Sequence, residues 1–155
     1  MRFDISKQKV GPIELGISFD SARSKLYEIP GLLEDRSKVV ARGMFMHYES
    51  DLSLAIACQD GRQVTSIEVY RPERGINFLL AGFSVFETPV DQLIEALSRD
   101  FSIETLDDGH MFLIRDFLIS FSRNITPEGD SDDGKFFDSF LVAGPDYYDH
   151  AVHSI

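Results

Sequence analysis

The sequence contains no tryptophan, a single cysteine and no long uninterrupted apolar segment. Because Cys58 has no second cysteine to pair with, an internal disulfide is excluded, and its apolar neighbours predict a buried thiol. A membrane-spanning helix needs about 18 consecutive apolar residues, and no segment of the chain reaches that length. Residues 1–6 also lack the basic start and apolar run of a signal peptide. We therefore expect a cytoplasmic protein.

Motifs of common catalytic and nucleotide-binding sites are missing as well. The chain has no glycine-rich phosphate loop and no nucleophile elbow. His150 and His153 could place two zinc ligands on one helical face, but the tyrosines beside them favour packing. The acidic segment 129–134 lacks the glycine and glutamate positions of a calcium loop. We predict a protein that catalyses nothing and binds no cofactor or metal.

Basic residues are scarce in the last third of the chain. The net charge is −11, yet residues 1–99 hold 12 Lys and Arg against 14 Asp and Glu, whereas residues 100–155 hold 3 against 12. A negative field repels nucleic acid and anionic membranes, and it attracts cationic protein surfaces. The charge pattern therefore disfavours nucleic acid and membrane partners and predicts a protein partner with a basic surface. The sequence leaves the oligomeric state open.

Apolar residues, in contrast, are ample for a core. The chain of 155 residues is 43% hydrophobic with 13 Phe, which predicts a single domain over residues 1–155. Residues 10–70 and 79–143 share one order: an apolar stretch with glycine, a polar cap, a helix and three strands. We interpret them as two pseudo-repeated units, with chance similarity as the alternative. The predicted fold class is α+β, an antiparallel sheet with both helices packed on one face.

Each predicted unit contains one short helix. We expect Asp20 or Ser21 to cap the first helix and Thr88 to cap the second, with Pro89 in its first turn. Pro30 and Gly31 end the first helix. The apolar positions at helical spacing are Ala22, Leu26 and Ile29 in the first helix and Val90, Leu93, Ile94 and Leu97 in the second.

Three strands are predicted after each helix. They cover residues 44–48, 52–58 and 64–70 in the first unit and residues 111–114, 117–122 and 136–142 in the second. Asp60 and Gly61 form the strongest hairpin signal in the chain. Residues 125–135 are too polar to pack and are predicted to form a long acidic loop in solvent.

The first half of the chain resembles a family of small bacterial proteins. Residues 11–17 read Gly-Pro-Ile-Glu-Leu-Gly-Ile before the first helix, and Tyr48, the Asp60-Gly61 turn and residues 64–67 follow it. This pattern resembles the immunity proteins of bacterial toxin systems and the tandem helix-plus-strands units of the beta-lactamase inhibitory protein. The resemblance implies a cytoplasmic binder that neutralises a toxin. The chain departs from the secreted inhibitor because it has no signal peptide and no paired cysteines.

We predict that recognition takes place at the acidic loop and near the end of the chain. Carboxylates crowded into one loop repel each other, and a partner with lysines and arginines would relieve that repulsion. Tyrosines beside carboxylates are also suited to an interface. A loop that is merely solvated is the alternative interpretation. The predicted partner-binding residues are Glu128, Asp130, Asp132, Asp133, Asp138, Asp146, Tyr147, Tyr148 and Asp149.

The leading functional hypothesis is an immunity protein that binds a cognate toxin domain, often a cationic nuclease, and blocks its active site or substrate channel. An acidic secretion chaperone is the first alternative, and it predicts a dimer with an apolar groove. A small hydrolase is the second alternative. It would use His47 or the histidines near the end of the chain with neighbouring carboxylates, and it predicts those groups in a concave pocket.

Overall fold

Strands dominate the fold, and they form two sheets. The computed structural model describes residues 1–35, 42–58, 62–127 and 132–145. Within these residues, thirteen strands form a five-stranded and an eight-stranded sheet, accompanied by two α-helices. The expectation of a mixed α+β protein with mostly antiparallel pairing is confirmed. The strands that follow the two helices join in the eight-stranded sheet, and the five-stranded sheet was not expected.

The elements follow each other in a regular order along the chain. The first half contains β1 (Arg2–Ser6), β2 (Lys9–Val10), β3 (Ile13–Glu14), α1 (Phe19–Tyr27), β4 (Leu32–Glu34), β5 (Arg42–His47), β6 (Leu52–Cys58) and β7 (Val64–Tyr70). The second half contains β8 (Asn77–Leu80), β9 (Phe83–Ser84), α2 (Val90–Leu97), β10 (Ile103–Leu106), β11 (Met111–Ile114), β12 (Ile119–Ser122) and β13 (Ser139–Ala143). A short 3-10 turn, Asp107–Gly109, lies between β10 and β11.

The strand order of the large sheet is mirrored about its centre. The order is β10-β11-β12-β13-β7-β6-β5-β4, all antiparallel, and the last strands of the two halves, β7 and β13, pair in the middle. The small sheet has the order β3-β2-β1-β8-β9, in which only β1 and β8 run parallel. Four strands follow each helix instead of the three that we predicted. The short edge strands β4 and β10 were missed because three or four partly exposed residues give little periodicity.

One face of the large sheet, the inner face, packs against the small sheet and the helices. Phe140 of β13 lies 5.5 Å, between ring centroids, from both Phe78 and Phe86, and Phe45 of β5 contacts Phe19 at the start of α1. One hydrophobic cluster contains residues of both sheets and both helices. Complete burial of such a side chain contributes about 1.5–3 kcal/mol, so this shared cluster is the main source of stability.

The opposite face of the large sheet, the outer face, has a different character. Its residues alternate with those of the inner face along each strand, and none of them belongs to the hydrophobic cluster. Among the residues whose burial is described, the outer face consists of Leu33, Met44, Met46, Ser53, Ala55, Ala57, Ser66, Glu68, Tyr70, Glu104, Leu106, Met111, Leu113, Ser120, Ser122, Ser139, Leu141 and Ala143.

Both helix caps differ from the sequence prediction. Ser18, and not Asp20 or Ser21, caps α1, since its hydroxyl oxygen accepts a 3.0 Å hydrogen bond from the Ser21 backbone N–H. Thr88 does not cap α2. The cap residue is Pro89, which makes no side-chain hydrogen bond, and the free N–H of Val90 donates instead to the Lys135 carbonyl at 2.8 Å. The start of α2 is therefore satisfied by a contact with a distant residue and not by the side chain of a neighbouring residue.

Within the described residues, neither helix is long and apolar enough to cross a membrane.

Two strand boundaries in the second half also differ from prediction. Residues 117–118 belong to a turn, in which Leu118 has a φ of 54°, so β12 begins only at Ile119. The last strand begins at Ser139 and not at 136. Phe137 precedes it and stacks on Phe121 at 5.3 Å between ring centroids. Apolar loop residues such as Phe137 have the sequence pattern of a strand because they pack in the core.

Candidate functional site

Most of the described carboxylates of the last third lie at one end of the large sheet. The turn between β10 and β11 and the loop between β12 and β13 leave the sheet at the same end, because β10 to β13 pair antiparallel in sequence. Asp107 and Asp108 belong to the turn, and Asp132, Asp133 and Asp138 belong to the loop. We call these five carboxylates the acidic end.

A buried arginine joins the two segments of the acidic end. Arg123 is 8% exposed, its Nε donates to the Gly109 carbonyl at 2.9 Å, and its Nη1 donates to the Gly134 carbonyl at 2.9 Å. The guanidinium also lies 5.8 Å from the centre of the Phe112 ring. Because Gly109 and Gly134 directly follow Asp108 and Asp133, one side chain holds the two acidic segments beside each other.

Further hydrogen bonds fix the loop to three neighbouring elements. The carboxylate of Asp138 accepts from the Asn124 backbone N–H at 2.7 Å, next to the end of β12. The Arg71 backbone N–H, after β7, donates to the Asp138 carbonyl at 2.8 Å. The Lys135 carbonyl accepts from the first residue of α2. Hydrogen bonds to the fold therefore hold the described part of the loop, although most of its described residues are exposed, as expected.

A surface cleft of about 270 Å³ lies within the acidic end. Asp132, Asp133 and Asp138 line it together with two cations, Arg71 and Lys135. Both cations lie over the Phe136 ring, at 4.8 Å and 5.7 Å from its centre. A lining that mixes carboxylates, cations and an aromatic ring suits polar contacts with protein side chains more than it suits a metal ion. Among the residues with described positions, no group of His, Cys, Asp and Glu could hold a metal ion.

The structure locates only part of the predicted partner-binding set. Asp132 and Asp133 are exposed, and Asp138 is half-buried. Sequence reasoning missed Asp107 and Asp108, although the Asp-Asp-Gly run is a recognisable turn signal. It also missed Arg123, because a basic residue after a strand carries no local sign that it will be buried. The remaining predicted residues, Glu128, Asp130, Asp146, Tyr147, Tyr148 and Asp149, lie outside the described part of the chain.

His47, the histidine of the hydrolase hypothesis, belongs to a buried hydrogen-bond network. Its Nε2 lies 3.1 Å from the Pro30 carbonyl, which can only accept, so Nε2 donates there, and its Nδ1 lies 2.8 Å from the Ser50 hydroxyl oxygen. The Ser50 oxygen also accepts from the Leu52 N–H at 3.2 Å. His47 is 5% exposed and Ser50 is 1% exposed. This network ties the turn after β5 to the segment after α1, which is a structural role.

A cavity of about 430 Å³ borders this network and is also lined by Met1, Glu49 and Arg74. His47 and Ser50 line this cavity too, and their polar atoms are hydrogen-bonded to each other and to the backbone. His110 lies elsewhere, where its Nδ1 is 2.7 Å from the Asp107 carbonyl. His150 and His153 lie outside the described residues. The described histidines are thus separated from each other.

Comparison with known proteins assigns no relative to this chain. No family model, no curated protein and no solved structure matches it. Its function is therefore inferred from the acidic end and from the contacts that hold the acidic end in place.

Proposed function

We propose that this protein is a non-catalytic binding protein that neutralises a cationic protein partner through the acidic end, as a cytoplasmic immunity protein does for a toxin domain. The observation that carries the proposal is the gathering of five carboxylates on two segments that Arg123 joins. Folding does not require like charges to be collected, and their repulsion costs stability. Lysines and arginines of a partner would offset that cost.

The order of the loop supports a binding role. Each flexible side chain that becomes fixed at an interface costs about 0.5–1.5 kcal/mol in lost freedom, and loop ordering adds to this cost. At the acidic end, hydrogen bonds from Arg123, Asn124 and Arg71 hold the described part of the loop before any partner arrives. A partner would therefore meet a prearranged negative surface, which favours both fast association and specificity.

A nuclease toxin domain has the surface chemistry that fits this site. Such a domain binds nucleic acid through lysines and arginines that contact phosphates. The carboxylates of the acidic end would pair with the same cationic groups and would exclude the substrate by occupying its channel. Inhibition of this kind needs no reacting group on the inhibitor.

We also infer that the two halves of the chain descend from one unit. In support, β2 to β7 and β8 to β13 each comprise a helix flanked by a short hairpin and four antiparallel strands, and the large sheet is mirrored about β7 and β13. β1 stands outside the scheme, between β2 and β8. In this interpretation the long acidic loop is an addition to the second copy alone.

The immunity hypothesis is tested with the protein that the neighbouring gene encodes. We expect that gene to encode a toxin-like protein, and we expect an inactive variant of it to form a stable complex with this chain on size-exclusion chromatography. The chain should also protect cells from the active toxin. A neighbour of unrelated metabolic type that forms no complex would remove the immunity hypothesis.

The role of the acidic end is tested by neutralising four of its carboxylates together: Asp107→Asn, Asp108→Asn, Asp132→Asn and Asp133→Asn. Asparagine suits the positive φ angles of Asp107 and Asp108, 52° and 53°, so the turn is preserved. Asp138 is kept because its carboxylate accepts a backbone hydrogen bond. We expect association with the partner to slow by about tenfold or more at low salt, with a flatter salt dependence.

The matched control removes the same number of exposed charges elsewhere, through Glu14→Gln, Glu95→Gln, Asp100→Asn and Asp116→Asn. It changes the net charge equally and leaves the acidic end intact. Association rates measured by stopped flow should therefore fall much less in the control. Equal slowing in both variants would show that total charge, and not the acidic end, governs the encounter.

A further inference from the structure

The cleft of the acidic end contains two positive charges as well as carboxylates. Arg71 and Lys135 both line it, and both residues are exposed. Within the described part of the chain, no carboxylate lies within ion-pair distance of either cation. The two cations are therefore held by something other than the neighbouring aspartates.

An aromatic ring is the contact that both cations share. The guanidinium of Arg71 lies 4.8 Å and the ammonium of Lys135 lies 5.7 Å from the centre of the half-buried Phe136 ring. The negative face of the ring attracts a cation, whereas ion pairs at an exposed site are weak because water and salt screen them. The ring can therefore compete with the aspartates for both head groups.

The backbone of both cations is also fixed by distant elements. The Arg71 N–H donates to the Asp138 carbonyl at 2.8 Å, and the Lys135 carbonyl accepts from the Val90 N–H at 2.8 Å. These hydrogen bonds and the ring bring two positive charges from separate segments to one place. We call Arg71, Lys135 and Phe136 the cationic subsite.

The cationic subsite is unfavourable for a partner surface that is positive throughout. Like charges that face each other across an interface repel, and the repulsion grows where water is excluded. A carboxylate would instead accept hydrogen bonds from the guanidinium and the ammonium, and such charge-assisted bonds are roughly twice as strong as neutral ones. Ile125, which is 54% exposed and lines the same cleft, offers an apolar contact to the stem of that side chain.

We propose that the cationic subsite binds an Asp or Glu side chain of the partner. This assignment rests on the proposed function and adds a carboxylate to the cationic surface that the acidic end would recognise. A nuclease has both kinds of group at its active site, where a carboxylate acts as general base or holds a metal ion and cationic side chains contact phosphates. Binding that carboxylate would occupy the active site and would distinguish the cognate partner from other basic proteins.

Two peptides test the cationic subsite without the partner. The blocked peptides Lys-Lys-Glu-Lys-Lys and Lys-Lys-Gln-Lys-Lys differ only in the central side chain. NMR titration of the Asn124 and Gly134 amide signals, which report on the cleft, gives a dissociation constant for each peptide at low salt. Charge attraction alone favours the Gln peptide, because it carries the larger positive charge. We expect the wild-type chain to bind the Glu peptide more tightly, by about twofold or more.

Arg71→Gln with Lys135→Gln should reverse this order. The acidic end is then more negative and has no cation for the carboxylate, so the Gln peptide should bind more tightly. Lys7→Gln with Arg99→Gln removes the same charge from exposed residues elsewhere and should keep the wild-type order. The order is a comparison within one variant, so small changes in stability do not affect it. A wild-type chain that binds the Gln peptide more tightly, or a subsite variant that still binds the Glu peptide more tightly, would overturn the proposal.

The inactive form of the neighbouring gene's product separates the cationic subsite from the proposed function. If the wild-type chain forms no complex with it, the proposed function fails, and the peptides still decide whether the subsite binds a carboxylate. If the complex forms, the subsite variant should bind about tenfold or more weakly, mainly through faster dissociation, although its acidic end is more negative. Unchanged or tighter binding would show that the partner presents no carboxylate to the subsite, and the acidic end would remain the binding surface.

Discussion

The two connections that lead into the central strands of the large sheet differ greatly in length. Residues 59–63 join β6 to β7, and residues 123–138 join β12 to β13, at mirrored places in the strand order. Closing the longer connection costs about 1 kcal/mol more in chain entropy. Since β6 and β7 pair well across the short one, strand pairing does not explain the length of the other. The proposed function gives these extra residues a role, which is recognition of a partner.

The longer connection is nevertheless built into the fold. Arg123 and Asp138 hold its two arms, and the Lys135 carbonyl takes over the capping of α2. Within its described part, the long connection is therefore exposed at Asp132 and Asp133 and more buried at its supports, Arg123 and Asp138. If this division is right, changes at the supports should cost stability, whereas changes at the exposed carboxylates should cost association only.

The largest effect on stability is expected for Arg123→Met. Methionine keeps much of the apolar stem but leaves the half-buried Gly109 and Gly134 carbonyls without their donor. Unpaired buried polar groups cost about 1–3 kcal/mol each, so the free energy of unfolding should fall by about 2–4 kcal/mol. Urea unfolding followed by circular dichroism measures this. Arg99→Met, at an exposed arginine, is the control and should change stability by less than about 0.5 kcal/mol. Equal losses in both variants would mean that Arg123 does not hold the loop.

Gly134→Ala should have the next largest effect. Gly75 and Gly134 both have a φ of 78°, so an alanine at either position pays a left-handed penalty of about 1–2 kcal/mol. A Cβ atom at Gly75 would meet no heavy atom within 4 Å, whereas at Gly134 it would collide with the Ile125 carbonyl oxygen. The difference between Gly134→Ala and Gly75→Ala in urea unfolding isolates the contact between the two arms of the loop. No difference would show that the arms do not touch in solution.

Much of the fold follows from local patterns in the sequence. Strands β6, β7 and β11 match their predicted ranges because each has a clear apolar pattern bounded by turn residues. Helix α2 is recognised from Val90, Leu93 and Leu97, all of which are buried. Short edge strands were missed because they give little periodicity, and other errors arise from contacts between distant residues. The Val90 N–H finds its acceptor at Lys135, and the core position of Phe137 is filled from a loop.

The candidate site was accessible from the sequence only in part. Composition indicated the acidic loop with Asp132, Asp133 and Asp138. It could not place Asp107 and Asp108 beside that loop, since their proximity depends on the pairing of β11 with β12. It also gave no sign that Arg123 would be buried between carbonyl groups. Charge patterns identify exposed groups well, whereas the buried charge that supports them depends on tertiary structure.

A smaller effect on stability is expected for changes of Asp138. Its carboxylate accepts the Asn124 N–H at 2.7 Å, so Asp138→Ala should lower the free energy of unfolding by about 1–2 kcal/mol. Asp138→Asn keeps an oxygen acceptor at the same place and should cost clearly less. If the two variants are equally destabilised, the negative charge and not the hydrogen bond stabilises the arm. Urea unfolding of the pair at neutral pH distinguishes these results.

The smallest effect on stability is expected for Arg115, which is exposed and lies in the second half of the chain, as does the buried Arg123. Arg115 donates to Glu104 from Nε at 3.0 Å and from Nη2 at 2.6 Å, and this hydrogen bonding lowers the pKa of Glu104 below its ordinary value of 4.5. Because the folded-state pKa is the lower one, the pair stabilises the native state above pH 4.5, and that contribution disappears as the pH falls through the lowered pKa. Arg115→Gln should raise the pKa of Glu104 towards 4.5, as measured by carboxylate NMR titration. The free energies of unfolding of variant and wild type should converge in acid. A difference that persists below the lowered pKa would show that Arg115 acts through packing and not through charge.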